Sequence, residues 1–511
     1  MRHITRRKFL STSATTAASF YLTGCGTRDA TARQPNVVFI LTDDQRWDTL
    51  SVLPDSERFF PALQTPNMDR LATEGVRFAN AFCTWSLCSP SRASYLSGMY
   101  PQIHGVRDNF TQYPAARLPS YHTHLKNAGY KTAYIGKWHM GEGDDSHRPP
   151  FDYWASHAGQ GHYDNTEFNI SRAVDGTESI DSVSFNVAGR RQVIEGYYTH
   201  VVTDLAVDWI RSVRGPFSLQ IGHKAPHGKW IPEPKYASLY GDIQLTKPPT
   251  ESLYTEGLPE WVKRRVATWH GIDGPLYETY DYETFIKTYH QVLPSVDDSV
   301  GEIYEALRAK GELENTIFIF AGDNGFLLGE KASIDKRTAW EESIRIPLLI
   351  RYPEGLGAGK VIDEMVMNID VAPTVLALVG VENVTPEMQG RSVVGLANGD
   401  RQRWRESIYY QYNFEEQFPY TPNVRSVRTR EWKYIHYPNG EGYPDTERAE
   451  LYHLAVDPKE QRNLIDDPAH AEKLAELKAE LRRLQEETGA IPDVMPANPQ
   501  LSFEMPDEAI R

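Results

Sequence analysis

Cysteine is nearly missing from this chain. Its 511 residues hold three, Cys25, Cys83 and Cys88, too few for a disulfide framework. Positive charge is also short. The net charge of -15 argues against a nucleic-acid footprint, although a local basic cluster can still receive an anionic substrate. No apolar run reaches bilayer length: the mildly apolar residues 11–22 are too few to span one. Internal repeats and low-complexity tracts are absent. What remains is an ordinary globular balance, 40% hydrophobic and 24% charged, long enough for one large α/β domain and a smaller one. Aromatic residues are plentiful, with 28 Tyr and 11 Trp; they fit sugar stacking or core packing.

The first residues read as a targeting segment. Thr5-Arg6-Arg7-Lys8-Phe9-Leu10 resembles a twin-arginine export signal, and Leu22-Thr23-Gly24-Cys25 resembles a bacterial lipobox. Basic region, apolar region and cleavage box occur in the order export requires. The expectation is cleavage before Cys25, a lipid anchor on Cys25 as the one link to a membrane, and a periplasmic or cell-surface lipoprotein. Residues 1–25 are then signal, 26–34 a tether, 35–399 a catalytic domain and 400–511 a C-terminal subdomain.

From residue 36 a pattern of strand, polar cluster and helix repeats. Residues 36–41 are continuously apolar, as in a buried parallel strand, and end in Asp43-Asp44. A helix opens at Thr65 and stops near Gly75, and a strand from Val76 delivers the chain to Cys88. Residues 118–129 read as a helix. The strand 131–136 runs into Lys137-Trp138-His139, and the strand 216–221 into Lys224 and His227. The strand 315–320 ends in Asp323-Asn324, and further strand and helix signals lie at 347–351 and from Asp370. Helical periodicity covers 198–213 and 282–310. Residues 141–190 and 229–280 read as irregular excursions that shape a pocket. Beyond residue 399 come short aromatic strands and a helix carrying Leu474, Leu477, Leu481 and Leu484, closed by Gly489. This predicts a mostly parallel sheet covered by helices, with a small α+β subdomain.

Cys88-Ser89-Pro90-Ser91-Arg92 leads into a helix. Ser89 suits an N-cap and Pro90 the first helical position, which puts Cys88 where backbone N–H groups favour negative charge. Arg92 lies one turn on. The stretch fits a nucleophile facing an anion, or a packed cysteine before a capped helix. Four strand ends carry polar clusters, and in one parallel sheet such ends converge.

Taken together, these motifs resemble the type I, formylglycine-dependent sulfatases of the alkaline phosphatase-like superfamily. Cys88 to Arg92 with Leu96-Ser97-Gly98 resembles the maturation signature. Gly136-Lys137-Trp138-His139 resembles the second signature, and Asp323-Asn324-Gly325 with Asp335-Lys336-Arg337 the third. Ala225-Pro226-His227 and Gln389-Gly390-Arg391-Ser392 also match, over roughly residues 35–490. The resemblance implies the alkaline phosphatase-like α/β fold and a Cys88 oxidised to formylglycine by a maturation enzyme. It implies a divalent metal at Asp43, Asp44, Asp323, Asn324 and position 88. Oxygen donors suit calcium or magnesium, and the family favours calcium. It also implies Arg92, Lys137, His139 and Lys336 around the sulfate. His227 would be general acid, alone or together with Lys336, and Asp323 is one candidate for the base of the release step. Lys224 and His104 are candidate substrate contacts, Lys336 is preferred over Lys331, and Cys83 is a packed thiol.

Val427-Arg428-Thr429, Tyr434-Ile435-His436, residues 450–454 and Asp457-Pro458 resemble the end of bacterial carbohydrate sulfatases. The expected substrate is a sulfated glycosaminoglycan or algal polysaccharide fragment. Competing readings are a phosphonate monoester or phosphodiester hydrolase, an aryl or choline sulfatase, and a catalytically silent glycan-binding lipoprotein.

Overall fold

Asn36–Thr42 (β1) is wholly buried and alternates its side chains between two cores. Val37, Phe39 and Leu41 join one, Val38 and Ile40 the other. A strand apolar on both faces needs cover on both faces, and that requirement sets the architecture. The computed structural model describes residues 33–172, 190–382, 385–440 and 444–490. The export signal and Cys25 lie outside the described residues. No helix among the described residues is long and apolar enough to cross a membrane.

The remaining strands are Val76–Phe82 (β2), Lys131–Gly136 (β3), Tyr153–Ser156 (β4), Glu167–Arg172 (β5), Arg190–Val193 (β6), Phe217–Gly222 (β7), Thr316–Gly322 (β8), Leu327–Leu328 (β9), Ile334–Asp335 (β10), Leu348–Arg351 (β11), Lys360–Met367 (β12), Ser407–Tyr412 (β13), Val424–Thr429 (β14), Trp432–His436 (β15) and Glu450–His453 (β16). Ten form one sheet, in the order β12-β2-β11-β8-β1-β7-β3-β4-β5-β6. Its centre, β8-β1-β7-β3-β4, is parallel throughout. Its margins are mixed: β11 runs against both neighbours, and β5 and β6 run antiparallel. The helices Tyr198–Ser212 and Leu293–Lys310 cover one face through Val202, Ile210, Val296, Val300 and Leu307. The other face takes the helices Cys88–Ser97 and Val371–Val379.

A second, antiparallel sheet, β13-β14-β15-β16, packs into that same core through Ile408, Tyr409, Val427 and Leu451. The helix Ala471–Thr488 closes it with Leu477, Leu481 and Leu484. The described residues from Pro35 on form one compact unit.

Three departures from the sequence reading have physical causes. Residues 141–190 are not wholly irregular, because β4 and β5 extend the sheet there. They are short, and β6 beyond them presents Arg190, Arg191 and Val193 to solvent, so no apolar run marks this edge. The helix expected over 282–310 is two, Tyr282–Gln291 and Leu293–Lys310, since Pro294 has no N–H to continue the ladder. Strand β12 carries Asp363 and Glu364 within it, which masks its alternation.

Candidate active site

The parallel register builds the site. Gly136 of β3 is level with Gly222 of β7, Leu41 of β1 with Gly222, and Thr42 with Gly322 of β8. The residues that follow these four strands therefore emerge at one edge: Lys137 and His139, Lys224 and His227, Asp43 and Asp44, Asp323 and Asn324. The helix Cys88–Ser97 points its N-terminus at the same place.

Cys88 is the first residue of that helix, and Leu87 holds the N-cap position. Ser89 is therefore not the cap; its hydroxyl donates to the His139 carbonyl and fastens the helix to the β3 turn. The Cys88 Sγ lies 3.2 Å from Asp43 Oδ1 and 3.0 Å from Lys336 Nζ. Burial, reinforced by Asp43, pushes this thiol up despite Lys336 and Lys137. It is no thiolate at neutral pH.

Around it lie three buried carboxylates. Asp43 accepts from Lys137 Nζ, and Arg92 Nη2 is 3.8 Å from its Oδ2. Asp44, held at φ 64°, accepts from Lys336 Nζ and from Asn324 Nδ2 (2.7 Å). Asp323 Oδ1 accepts from the amides of Asp44 (3.0 Å) and Asn324 (2.8 Å). Burial raises Asp43, but the charges of Lys137, Arg92 and Lys336 outweigh it and hold the carboxyl well below its ordinary value. Burial pushes Asp44 up against Lys336, and burial with Asp43 pushes Asp323 up to about 7.

The carboxylate oxygens of Asp43, Asp44 and Asp323 lie within 4.8 Å of one another. Asp44 Oδ2 and Asn324 Oδ1 are buried without a hydrogen-bond partner. Two orphaned oxygens beside crowded carboxylates fit a hard divalent cation, which supplies the charge that burial withholds.

His227 donates Nδ1–H to the Gly228 carbonyl (2.6 Å), which turns Nε2 to the site, 3.8 Å from Asp44 Oδ2. Burial holds the ring neutral against the pull of Asp43. His139 places Nε2 3.0 Å from Glu142 Oε2, and its Nδ1 is buried without a partner. Lys224 lies over the Tyr163 ring and donates to Gly228 O (3.4 Å); burial, then Lys137, brings it down to about 7. A cleft of about 850 Å³ adjoins this cluster. Glu142, Gln160, Lys224 and Gly228 line it, and Gln160 also accepts from Lys137 Nζ.

Three expectations change. Arg92 is engaged on two of its three guanidinium nitrogens, while Nη2, 3.8 Å from Asp43 Oδ2, is buried without a hydrogen-bond partner. Its Nε donates to Asp323 Oδ2 (2.9 Å) and its Nη1 to Lys137 O (2.9 Å), so it braces the carboxylates. His104 is spent on the fold: Nε2 meets Ser94 Oγ (3.1 Å) and Nδ1 accepts from the Val106 amide (3.1 Å). Asp323 has both oxygens engaged, which argues against it as a base. Lys331 lies against the Trp340 ring, 3.8 Å from Glu342 and Glu460, away from the cluster. Glu142, Gln160 and Tyr163 escaped the sequence reading because they lie in a segment with no periodicity to align them.

A family profile described as Sulfatase matches residues 35–381, and one described as N-sulphoglucosamine sulphohydrolase, C-terminal, matches residues 329–487. The N-acetylglucosamine-6-O-sulfatase of Bacteroides thetaiotaomicron is 30% identical over 521 residues, covering 89% of this chain and 86% of its own. The choline-sulfatase of Rhizobium meliloti is 27% identical over 474 residues, covering 86% and 84%. A structure solved in complex with its substrate D-glucosamine-2-N,6-O-disulfate is similar with a TM-score of 0.78 at 28% identity, covering 89% of this chain and 98% of that one.

Proposed function

The chain belongs to the sulfatase family and is a sulfuric ester hydrolase, and from that premise we propose that it removes sulfate from an amino-sugar fragment of a glycosaminoglycan. The observation that carries this reading is the lining of the cleft that adjoins the cluster through Glu142, Gln160 and Lys224. Asp164, Glu167 and His162 offer charged and polar groups beside the Asp145–Arg191 ion pair, and Tyr163 is the one Phe, Tyr or Trp among the described residues that line it. Sugar hydroxyls and amides suit such walls. An aryl group would leave those polar groups unpaired, and a choline headgroup would want an aromatic cage. The likeness to an N-acetylglucosamine-6-O-sulfatase along most of both chains points the same way.

In this reading Cys88 is matured to formylglycine, which supplies the nucleophilic oxygen, and a calcium ion held by Asp43, Asp44, Asp323 and Asn324 supplies Lewis-acid charge at the sulfate. The chain's own residues do the rest. Lys137 and Lys336 keep positive charge beside position 88 and balance charge developing on sulfate oxygens. His139 offers its unpartnered Nδ1 to the same region. A bound sulfate favours a protonated His227, whose Nε2 then hands its proton to the departing sugar oxygen. Arg92 keeps Asp323 in place.

A panel of sulfated mono- and disaccharides, run beside 4-nitrophenyl sulfate and a phosphodiester, tests the substrate. The expected result is fastest release from a 6-O-sulfated glucosamine derivative; faster turnover of the phosphodiester or the aryl ester overturns it. Cys88→Ala abolishes turnover while the fold stays intact. Chelation abolishes activity, and calcium restores it better than magnesium. We further infer twin-arginine export and lipidation of Cys25, from residues 5–25; an unprocessed Met1 in the native host, read by mass spectrometry, overturns that.

A further inference from the structure

Lys336 sits between two residues with strained backbones. Asp335 has φ 81° and Arg337 φ 75°, both left-handed without being glycine. Such conformations persist only where the surroundings over-determine them. The surroundings here come from distant parts of the chain. Asp335 Oδ1 accepts from Tyr277 OH (3.0 Å) and its Oδ2 from Arg337 Nη1 (2.8 Å). Arg337 Nε donates to Glu415 Oε2 (2.7 Å), which also accepts from Tyr412 OH (2.8 Å). The guanidinium lies 4.5 Å above the Phe418 ring, and the Arg337 amide donates to Ser86 O (3.2 Å), two residues before Cys88. Asp335, Lys336, Arg337 and Glu415 are all at least 94% buried.

Tyr412 ends β13, and Glu415 and Phe418 lie in the loop between β13 and β14. The antiparallel sheet thus reaches the nucleophile through one line of contacts, Tyr412 to Glu415 to Arg337 to the Lys336 backbone, ending at Lys336 Nζ beside Cys88 Sγ. We propose that Glu415 and Arg337 are positioning residues that hold Lys336 against the reacting group, so that the C-terminal sheet takes part in turnover. This rests on the sulfatase reading of the site. A buried ion pair that served only stability would have no reason to grip the two residues beside a catalytic lysine. A shift of Lys336 by about 1 Å is enough to cost about 100-fold in rate.

A double-mutant cycle on the full-length, matured enzyme tests this, with rates expressed per formylglycine measured by mass spectrometry. Glu415→Gln keeps the side chain's volume and loses its charge. The expected result is a kcat lower by about 10- to 100-fold with KM within about 2-fold, an effect that falls below about 2-fold when Lys336 is already Ala. Arg337→Lys, which keeps the charge and loses the fork, behaves in the same way and covers the case in which Glu415→Gln folds poorly. An unchanged kcat per formylglycine, or an equal loss with and without Lys336, overturns the proposal while the parent enzyme still releases sulfate. A parent enzyme that releases no sulfate overturns the sulfatase reading, and this proposal with it.

Discussion

Glu142 shows how one side chain sets a condition on the site. It touches His139 and lines the cleft, and burial pushes its carboxyl up to about 7. A carboxyl raised in the folded state gives up stability as pH climbs from its ordinary value of 4.5 toward 7, because the folded protein must then ionise a group it has partly taken from water. Glutamine has no such cost and keeps an acceptor for His139. Glu142→Gln is therefore expected to gain stability relative to the parent as pH rises from 5 to 8, by about 1–2 kcal/mol. Thermal melts across that range check it; a constant difference contradicts the burial argument. His227 and Arg92 carry the same lesson. Residue type identified them, but their hydrogen-bond partners decide which atom faces the substrate.

At the scale of elements, the chain leaves β3 for the site through a left-handed turn at Gly136 packed against β7. Gly136 has φ 95°, and a Cβ there would stand 2.1 Å from the Gly222 carbonyl oxygen on the paired strand. Gly136→Ala is expected to destabilise the protein by about 3–4 kcal/mol, through strain and the clash together. Gly215, at φ 78° with nothing within 4 Å of its Cβ position, provides the control: Gly215→Ala meets only the conformational cost of about 1–2 kcal/mol. Chemical denaturation of the two variants separates the terms.

Across the whole molecule, a net charge of -15 coexists with a site ringed by buried cations, so the mean field says little about the local one. The two sheets are tied by another buried cluster. Glu341, after the Lys336 loop, meets Lys433 of β15 at 2.8 Å and Arg428 of β14 at 3.3 Å. Burial raises this carboxyl, but Arg428 and Lys433 outweigh it and pull it well down. A depressed carboxyl contributes stability above its ordinary pKa of 4.5 and loses that contribution as pH falls below it. Glu341→Gln leaves Arg428 short of a counter-charge and Lys433 with Glu460 alone, and is expected to cost about 3 kcal/mol at pH 7.5. The gap to the parent narrows as pH drops toward 3. Unfolding curves at both ends of that range measure it, and a gap independent of pH contradicts the charge argument.

The sequence by itself determined the elements that carry their own signal. β1 and β8 are apolar runs buried on both faces, and β3 and β7 are short strand-like stretches between polar turns, so their positions were legible, and so were the polar residues at their ends. The nucleophile helix was legible from Pro90, although Leu87 rather than Ser89 takes its N-cap position, and the Leu-striped helix that ends at Gly489 from its period and stop signal. Tertiary structure alone decided what depends on distant partners. Strands β5 and β6 exist because a sheet edge is there to pair with, and their polar sequence hides it. Arg92 also braces the carboxylates because Asp323, 231 residues away, takes its Nε. His104 was withdrawn from the site by Ser94 and Val106. Glu142 and Gln160 entered it from a stretch without periodicity, and Glu415 reached it from the other sheet. A side chain's chemical capacity is local and can be read from its type, whereas its direction is set by the lowest-energy set of buried hydrogen bonds, which only the folded chain defines.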